Sequence, residues 1–394
     1  MILFGYGKTT AAIANKFGNC KIYDDKFKEE QSFGTNKFLP MSDYEANSED
    51  LTIVSPGIAP HHKCVKKARN IMSDYDLFCE KMPFSIWISG TNGKTTTTQI
   101  LDFLLKNRGS VCGGNIGTPV AEMDLGANIW ILETSSFTLH YTQKASPNVY
   151  VLLPISQDHL SWHGNFNLYE EAKLKPLKTM QEGELAIVPK KYARIKTNAF
   201  LVTYKDYQDL AEFFDIDLEQ ITLRPPFLID AVLALCVTKA IFGETDYKRL
   251  SNYKLDPHKL QELRDSKGRL WINDSKATNT DASICALQNF AEQKVHLILG
   301  GDDKGADQSK LFDFLMGKKI SVYAIGQNAN KILEECQKRG IEVFLCGFLD
   351  VAVEKINQNF IEGVALLSPA AASLDQFKSY AHRGEEFQKF VFVI

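Results

Sequence analysis

Residues 84–105 read FSIWISGTNGKTTTTQILDFLL and predict a strand, a glycine-rich loop and a helix in direct succession. The apolar run before Gly90 is typical of a buried strand, and apolar residues from Ile100 to Leu105 recur at helical spacing. A glycine loop between a strand and a helix leaves the loop amides and the first helical amides unpaired and aimed at one point. This stretch therefore predicts an α/β fold with a phosphate site.

The loop itself, GTNGKTT at residues 90–96, resembles a P-loop with shortened spacing. Gly90 and Gly93 enclose two residues, whereas the usual P-loop has four residues between its glycine and its Gly-Lys pair. Lys94 would neutralise the β- and γ-phosphates, and the Thr95 hydroxyl would face Mg²⁺. The alternative is a Gly/Asn turn before a Thr-capped helix, with no ligand.

Length and composition limit the classes of protein to consider. A chain of 394 residues suits two or three domains, and its formal charge of −3 gives no bulk basicity for nucleic acid or anionic membranes. Eight cysteines occur without a CxxC pair, which is typical of reduced thiols in a cytosolic protein. No window approaches 18 consecutive apolar residues. We expect a soluble cytoplasmic protein without nucleic-acid binding or membrane insertion.

The N-terminal stretch ILFGYGKTTAAIANKF predicts a strand, a turn at Gly5 and Gly7, and an Ala-rich helix. Asp24 follows about twenty residues later, which makes a partial dinucleotide-binding fingerprint. A purely structural βαβ turn is the alternative, and a Rossmann dehydrogenase is another. The strand DLTIV then ends at Ser55–Gly57, a second loop at the same expected sheet edge.

Strand-like and helical runs alternate from residue 83 onward, so we predict a mostly parallel sheet. Loop residues Asn115, Glu133 and Asp158 would lie at the carboxyl ends of its strands, where ligands bind such sheets. Glu133 ends the apolar run IWIL and suits a Mg²⁺-binding carboxylate. His159 is either a metal ligand or a structural residue. Lys173, in the run YEEAKLK, is interpreted from this pattern alone as a solvated helix residue.

A third segment begins after LSNYKLDP and alternates again. Its strands are followed by polar loops at residues 273–279, 300–307 and 368–384. These loops carry cations that suggest a second substrate site for carboxylate or phosphate groups, namely Lys276, Lys304, Lys378 and Arg383.

Eight motifs resemble, in order and spacing, those of the Mur ligases of peptidoglycan synthesis. They are GTNGKTT, GGNIGTP, ETSSF, QDHLSWHG, YEEAKLK, INDSKATNTDA, LGGDDKGAD and SPAAASLDQFKSYAHRGEEF. The similarity covers nearly the whole chain. It implies three α/β domains: a Rossmann-like UDP-substrate domain at 1–82, a central P-loop-type ATP-binding domain at 83–254, and a Rossmann-like amino-acid-binding domain at 255–394.

The SPGIAP turn, the SKATN loop and the SLDQFKSYAHRG tail look most like the family members that add D-glutamate to UDP-N-acetylmuramoyl-L-alanine. The resemblance implies an ATP-dependent ligase in which the substrate carboxylate becomes an acyl phosphate before the amine attacks. It implies ATP and Mg²⁺, with one or two metal ions, and these two small-molecule substrates. We expect a monomer.

The resemblance also implies roles for individual residues. The catalytic residues would be Lys94, His159 and Lys173. The ATP-binding residues would be Gly90, Thr91, Asn92, Gly93, Lys94, Thr95, Thr96 and Asp274. The UDP-sugar would contact Lys8, Thr9, Asp24, Ser55, Gly57, Asn115 and His159. D-Glutamate would contact Lys276, Thr278, Lys304, Ser373, Leu374 and Tyr380. Metal would be held by Thr95, Glu133, His159 and Lys173, the last carrying a CO₂-derived carbamate.

This chain departs from the family pattern at three positions. Phe227 and Asp230 replace asparagines that contact the adenine and nearby groups, and Lys259 replaces an arginine. Adenine recognition is therefore open. The alternatives are a related Mur-type ligase with a different amino acid, a folate-type ligase, or a nucleotide-binding regulator without ligase activity.

Overall fold

The first sheet carries the loop at Gly5–Gly7. In the computed structural model, which describes residues 1–46 and 50–394, its strands run in the order β3-β4-β2-β1-β5-β6. The pairing is parallel except at the β3-β4 edge. The strands are β1 (Ile2–Phe4), β2 (Lys21–Asp24), β3 (Gln31–Phe33), β4 (Asn36–Pro40), β5 (Leu51–Val54) and β6 (Asn70–Met72). The accompanying helices are α1 (Lys8–Phe17), α2 (Lys63–Lys67) and α3 (Asp74–Phe78).

The second sheet carries the GTNGKTT loop and is parallel throughout, in the order β12-β11-β10-β7-β9-β8. Its strands are β7 (Phe84–Ser89), β8 (Ser110–Gly114), β9 (Ile129–Glu133), β10 (Val149–Leu152), β11 (Leu185–Pro189) and β12 (Phe200–Tyr204). Its helices are α4 (Lys94–Leu105), α5 (Ser136–Tyr141), α6 (Leu160–His163), α7 (Phe166–Thr179), α8 (Tyr207–Phe214), α9 (Leu228–Phe242) and α10 (Tyr247–Leu250).

The third sheet has the order β13-β14-β18-β15-β16-β17 and is antiparallel only at its β13-β14 edge. Its strands are β13 (Gln261–Arg264), β14 (Leu270–Asn273), β15 (Val295–Gly300), β16 (Ile320–Ile325), β17 (Glu342–Gly347) and β18 (Val364–Leu367). Its helices are α11 (Thr280–Gln288), α12 (Ser309–Leu315), α13 (Ala329–Lys338), α14 (Leu349–Asn359) and α15 (Tyr380–Val393).

These sheets confirm the predicted α/β class with mostly parallel strands. The antiparallel edge strands β3 and β13 were not predicted, because short, exposed edge segments carry little hydrophobic pattern. Backbone contacts divide the chain into two compact units, Met1–Tyr253 and Lys254–Ile394, so that the first unit contains two sheets. The division at residues 82 and 83 stays a prediction. Among the described residues, no helix has the length and apolar character needed to span a bilayer.

Helix α4, which follows the glycine loop, is held in place by the burial of its apolar side chains. Ile100, Leu101, Leu104 and Leu105 of α4 are buried as the spacing predicted, and α4 packs against α9. Helix α9 is buried along most of its length, so its apolar residues surround it on all sides rather than forming one stripe. The start of α4 is thereby fixed between the second sheet and the start of α9.

The first unit joins its two sheets through polar contacts, most of them made by the buried Asp76. The Asp76 carboxylate accepts hydrogen bonds from the amides of Ser73 (3.2 Å), Gln143 (2.8 Å), Lys144 (2.8 Å) and Ala145 (2.8 Å). In addition, the Lys16 ammonium donates to the Ala121 carbonyl at 2.7 Å. These contacts connect helices of the first sheet to loops of the second.

We predict that Asp76→Ala lowers the free energy of unfolding of the first unit by about 3 kcal/mol, because several buried amides lose their charged acceptor. Asp76→Asn keeps the shape of the side chain and one acceptor oxygen, so the decrease in the free energy of unfolding should be about half as large. Urea unfolding followed by circular dichroism measures both. The exposed Asp124 provides the matched control, Asp124→Ala. Equal urea midpoints for Asp76→Ala and Asp124→Ala would contradict the prediction.

Candidate active site

The candidate active site lies where the order of the second sheet reverses. Strand β7 lies between β9 and β10, so the loops that follow β7 and β10 adjoin each other at the carboxyl edge. The Thr91 amide donates to the Pro154 carbonyl at 3.1 Å, and the Leu153 amide donates to the Ser89 carbonyl at 2.8 Å. The crevice predicted from sequence is therefore formed by two loops bonded to each other.

The two glycines of the loop are required by space as well as by backbone conformation. Gly90 has φ 138° and Gly93 has φ 85°, both in the region that favours glycine. A Cβ atom at Gly90 would lie 2.5 Å from the Leu153 Cβ, and one at Gly93 would lie 2.4 Å from Asp230 Oδ1. Because Gly93 precedes α4 directly, the loop presents backbone amides at a helix start, which suits a nucleotide phosphate.

Lys94 begins α4 and bends back over the loop, with Nζ donating to the Thr91 carbonyl at 2.9 Å. Removal from water lowers the pKa of Lys94, while the Glu133 and Asp158 carboxylates act in the opposite direction. Lys94 thus lies beside the loop, where burial disfavours its charge and the two carboxylates favour it.

Glu133 ends β9 and is almost fully buried. Its Oε2 accepts from the Thr95 hydroxyl at 2.8 Å, and its Oε1 accepts from the Asn115 amide at 2.6 Å. The predicted metal residues Thr95 and Glu133 are thus brought together, and Asn115, predicted for the sugar, adjoins them. Adjacent hydroxyl and carboxylate oxygens fit Mg²⁺, which prefers few protein ligands plus phosphate oxygens and water. The described residues contain no group of three or more His, Cys, Asp or Glu with metal-binding geometry.

His159 precedes α6 with a positive φ of 53°, and its imidazole is partly exposed. Its Nε2 lies 3.5 Å from Asp158 Oδ2, and its ring centroid lies 4.7 Å from that of Phe137. The ring therefore lies in an aromatic cluster around α5 and α6. The predicted metal role of His159 stays a prediction.

Lys173 is buried, so its interpretation from sequence as a solvated helix residue is wrong. It lies on the inner face of α7, where Nζ donates to the Gly90 carbonyl at 2.8 Å and lies 4.8 Å from the Tyr169 ring centroid. Burial lowers the pKa of Lys173 well below its usual range, and the Lys94 cation lowers it further. A neutral amine reacts with CO₂, so this environment suits the carbamate that the family resemblance implied.

Tyr169 and His163 support this site and were not identified from the sequence. The Tyr169 hydroxyl lies 2.9 Å from Thr91 Oγ1, and its ring centroid lies 5.3 Å from that of His163. The His163 Nε2 lies 2.9 Å from the Ser136 hydroxyl, and burial lowers the pKa of His163 to about 4. Tyr169 lies one helical turn before Lys173, a spacing that would have indicated a shared face.

A second cluster forms at the edge of the first sheet. Asp24 Oδ2 accepts from the Tyr6 amide at 2.6 Å, and a Cβ atom at Gly7 would lie 3.0 Å from the Ser55 hydroxyl. The glycine turn, Asp24 and Ser55 are therefore adjacent, as the fingerprint predicted. Lys8 and Thr9 begin α1 beside them, and Gly57 follows Ser55 in the next turn.

The predicted D-glutamate residues lie on loops of the Lys254–Ile394 unit, except for Tyr380, which begins α15. Lys276 Nζ lies 4.2 Å from the Tyr380 ring centroid, which brings two of them together. Ser373 is buried, whereas the others have exposed side chains: Thr278, Lys304, Leu374 and Tyr380. Arg383 is also buried and donates to the carbonyls of Ser275 (2.9 Å) and Ala371 (3.2 Å). It therefore fixes two of these loops to each other.

Asp274, predicted to bind ATP, lies in the same unit. Its Oδ2 accepts from the Ser368 hydroxyl at 2.8 Å, and Oδ1 accepts from the Leu260 amide at 3.3 Å. Burial raises the pKa of Asp274 to about 7. Both carboxylate oxygens thus have partners within the unit, and the ATP role stays a prediction.

Comparison with known proteins relates the chain to one family. A model of the Mur ligase middle domain matches residues 88–209. The chain is 50% identical to UDP-N-acetylmuramoylalanine--D-glutamate ligase from Campylobacter jejuni strain RM1221, over 99% of this chain and 98% of that relative. It is 43% identical to the ligase of the same name from Helicobacter pylori strain J99, over 99% of this chain and 98% of that relative.

A solved structure of MurF ligase from Thermotoga maritima in complex with ADP shares the fold. The superposition covers 86% of this chain and 88% of the MurF chain, with a TM-score of 0.59 and 17% sequence identity. That identity supports the fold alone. The curated relatives, which are similar over the full chain, settle the family: this chain belongs to the Mur ligases.

Proposed function

We propose that this chain joins D-glutamate to UDP-N-acetylmuramoyl-L-alanine at the expense of ATP, a step of peptidoglycan synthesis. The observation that carries the proposal is the cluster of Lys94, Thr95 and Glu133 around the glycine loop. This cluster occurs in a chain that is 50% identical, over its whole length, to a relative named for that reaction. Cytoplasmic location and a monomeric state stay predictions.

The phosphoryl step needs positioning and charge compensation more than covalent chemistry. The amides of Gly90–Gly93 and the Lys94 ammonium would hold the β- and γ-phosphates of ATP. A carboxylate oxygen of the sugar substrate attacks the γ-phosphorus, which gives an acyl phosphate and ADP. Thr95 and Glu133 would hold Mg²⁺, which supplies further positive charge beside the phosphate oxygens.

The amide-forming step needs a neutral amine, because the ammonium of D-glutamate has no lone pair. The amine attacks the acyl carbon and expels phosphate, and a base must take its proton. His159 and a carbamate on Lys173 are the two candidates from sequence. The pKa of Lys173 is lowered by burial, which supports carbamate formation, because only the neutral amine attacks CO₂. The reaction of the neutral Lys173 amine with CO₂ gives a carbamate on Nζ and releases one proton.

We assign the two remaining substrates to the clusters at the edges of the other sheets. The Gly5–Gly7 turn with Lys8, Asp24 and Ser55 would bind the uridine diphosphate, since it combines a helix start with a buried acid. The pair of Lys276 and Tyr380 would receive D-glutamate, whose carboxylates a lysine ammonium attracts.

We predict phosphate release from ATP with UDP-N-acetylmuramoyl-L-alanine only when D-glutamate is supplied. L-Glutamate, meso-diaminopimelate and L-lysine are the comparison substrates. Lys94→Ala should lower the turnover at least about 100-fold, because one preorganised charge beside the transferring phosphoryl is lost. Lys106→Ala removes an exposed charge beyond the far end of α4 and should leave the turnover unchanged. No release with any amino acid from folded protein would instead favour the regulator hypothesis.

We predict that Glu133→Gln raises the Mg²⁺ concentration for half-maximal turnover about tenfold or more, because a neutral amide replaces the anionic ligand. Titration of phosphate release with Mg²⁺ measures this shift. Glu122→Gln changes an exposed glutamate of the same sheet region and serves as the control. An unaltered Mg²⁺ requirement in Glu133→Gln would remove Glu133 from the metal site.

We predict that ¹³C-labelled CO₂ gives one carbamate signal in ¹³C NMR that disappears in Lys173→Ala and persists in Lys175→Ala. The signal should weaken as the pH falls through the lowered pKa of Lys173, since protonation removes the nucleophilic lone pair. A signal that survives Lys173→Ala, or no signal in the unsubstituted protein, would contradict the assignment.

A further inference from the structure

A basic segment follows β5 in the first sheet. Residues 51–73 contain three lysines, one arginine and no Asp or Glu, in a chain whose formal charge is −3. Within this stretch, the side chains that form the basic segment are all exposed, namely Lys63, Lys66, Lys67 and Arg69. Among the described residues, this stretch reaches ion-pair distance of a carboxylate only at His62. The charges of the basic segment therefore act on the solvent and on approaching solutes.

The packing of α2 turns these cations outward. Cys64 and Val65 are the buried residues of this helix, and Cys64 Sγ donates to the Met41 carbonyl at 3.2 Å. The three lysines of α2 lie on its remaining, exposed surface. The buried residues are sufficient to hold the helix in place, so packing does not account for the presence of the lysines.

The basic segment adjoins the cluster at the edge of the first sheet. A Cβ atom at Gly5 would lie 3.0 Å from Ser55 Cβ and 3.0 Å from Ile58 Cγ1, so the turn after β5 lies against the glycine turn. His62 Nε2 lies 3.6 Å from Asp25 Oδ2, which connects the start of α2 to the end of β2. Helix α2 is only about 8 Å long. Its charges therefore act on the cluster at low salt, where the Debye length is about 30 Å.

We propose that the basic segment is an electrostatic surface that attracts the anionic nucleotide sugar to the first sheet and so raises its affinity. The inference rests on the proposed function in taking UDP-N-acetylmuramoyl-L-alanine as the ligand of the adjoining cluster. This ligand carries a diphosphate and a carboxylate, which the net negative charge of the chain repels. The local cations oppose that repulsion beside the cluster. Their attraction acts at a distance and requires no contact between a lysine and the bound ligand.

The test is calorimetric titration of the full-length protein with UDP-N-acetylmuramoyl-L-alanine at about 0.01 M and about 1 M salt. We expect Lys66→Gln/Lys67→Gln to weaken the affinity about fivefold at the lower salt and to leave it unaltered at the higher, where the Debye length is about 3 Å. Lys66→Arg/Lys67→Arg keeps both charges and should bind as the unsubstituted protein does. The matched control, Lys318→Gln/Lys319→Gln, removes an adjacent exposed pair from the Lys254–Ile394 unit and should leave the affinity unaltered.

The salt dependence distinguishes this role from a structural one, because a distorted site would bind more weakly at both salt concentrations. Unchanged affinity of Lys66→Gln/Lys67→Gln at low salt overturns the proposal while the proposed function stands. A loss that persists at about 1 M salt, or that Lys318→Gln/Lys319→Gln reproduces, also overturns it. Circular dichroism of each variant establishes that it is folded. If the unsubstituted protein binds no nucleotide sugar at either salt concentration, the proposed function is wrong and this inference falls with it.

Discussion

The structure of the site depends on one buried hydroxyl, that of Thr91. Its Oγ1 donates to the Ser156 carbonyl (3.1 Å), accepts from the Ser156 amide (3.0 Å) and lies 2.9 Å from the Tyr169 hydroxyl. These contacts join the loop after β7 to the loop after β10 and to α7. Because Lys94 binds the Thr91 carbonyl and Lys173 binds the Gly90 carbonyl, both lysines take their positions from the same short segment.

The electrostatics of the crevice are set by the buried Lys173 and the partly buried Lys94, which lie near two acids. Burial and then the Lys94 cation lower the pKa of Lys173. Burial also lowers the pKa of Lys94, and the Glu133 and Asp158 carboxylates act against the shift of both lysines. In the proposed reaction, Lys94 would contact the phosphates and the amine of Lys173 would carry the carbamate. The same low-polarity surroundings strengthen the interaction of Lys94 with developing negative charge.

The sequence was sufficient to predict the fold class and the polar residues that follow the strands. Both predictions use local signals, namely the periodicity of hydrophobic residues and the glycine-rich loops. The loop at Gly90–Thr96 and the acid at Glu133 were found in this way. The local pattern alone gives the wrong environment for Lys173, because a charged residue on a helix gives no local sign that its face is turned inward. The family resemblance is what singles Lys173 out. Asp230 was noted only as a departure from the family, since its contact with Thr97 joins positions far apart in the chain.

In the proposed reaction, the phosphate loop positions ATP so that its γ-phosphoryl group is transferred to the carboxylate of the sugar substrate. The most direct measurement uses UDP-N-acetylmuramoyl-L-alanine with ¹⁸O in its terminal carboxylate, followed by mass spectrometry of the released phosphate. An acyl phosphate expelled by the amine of D-glutamate carries one carboxylate oxygen away, so the phosphate should contain one ¹⁸O per amide formed. Product formation with unlabelled phosphate would contradict the account.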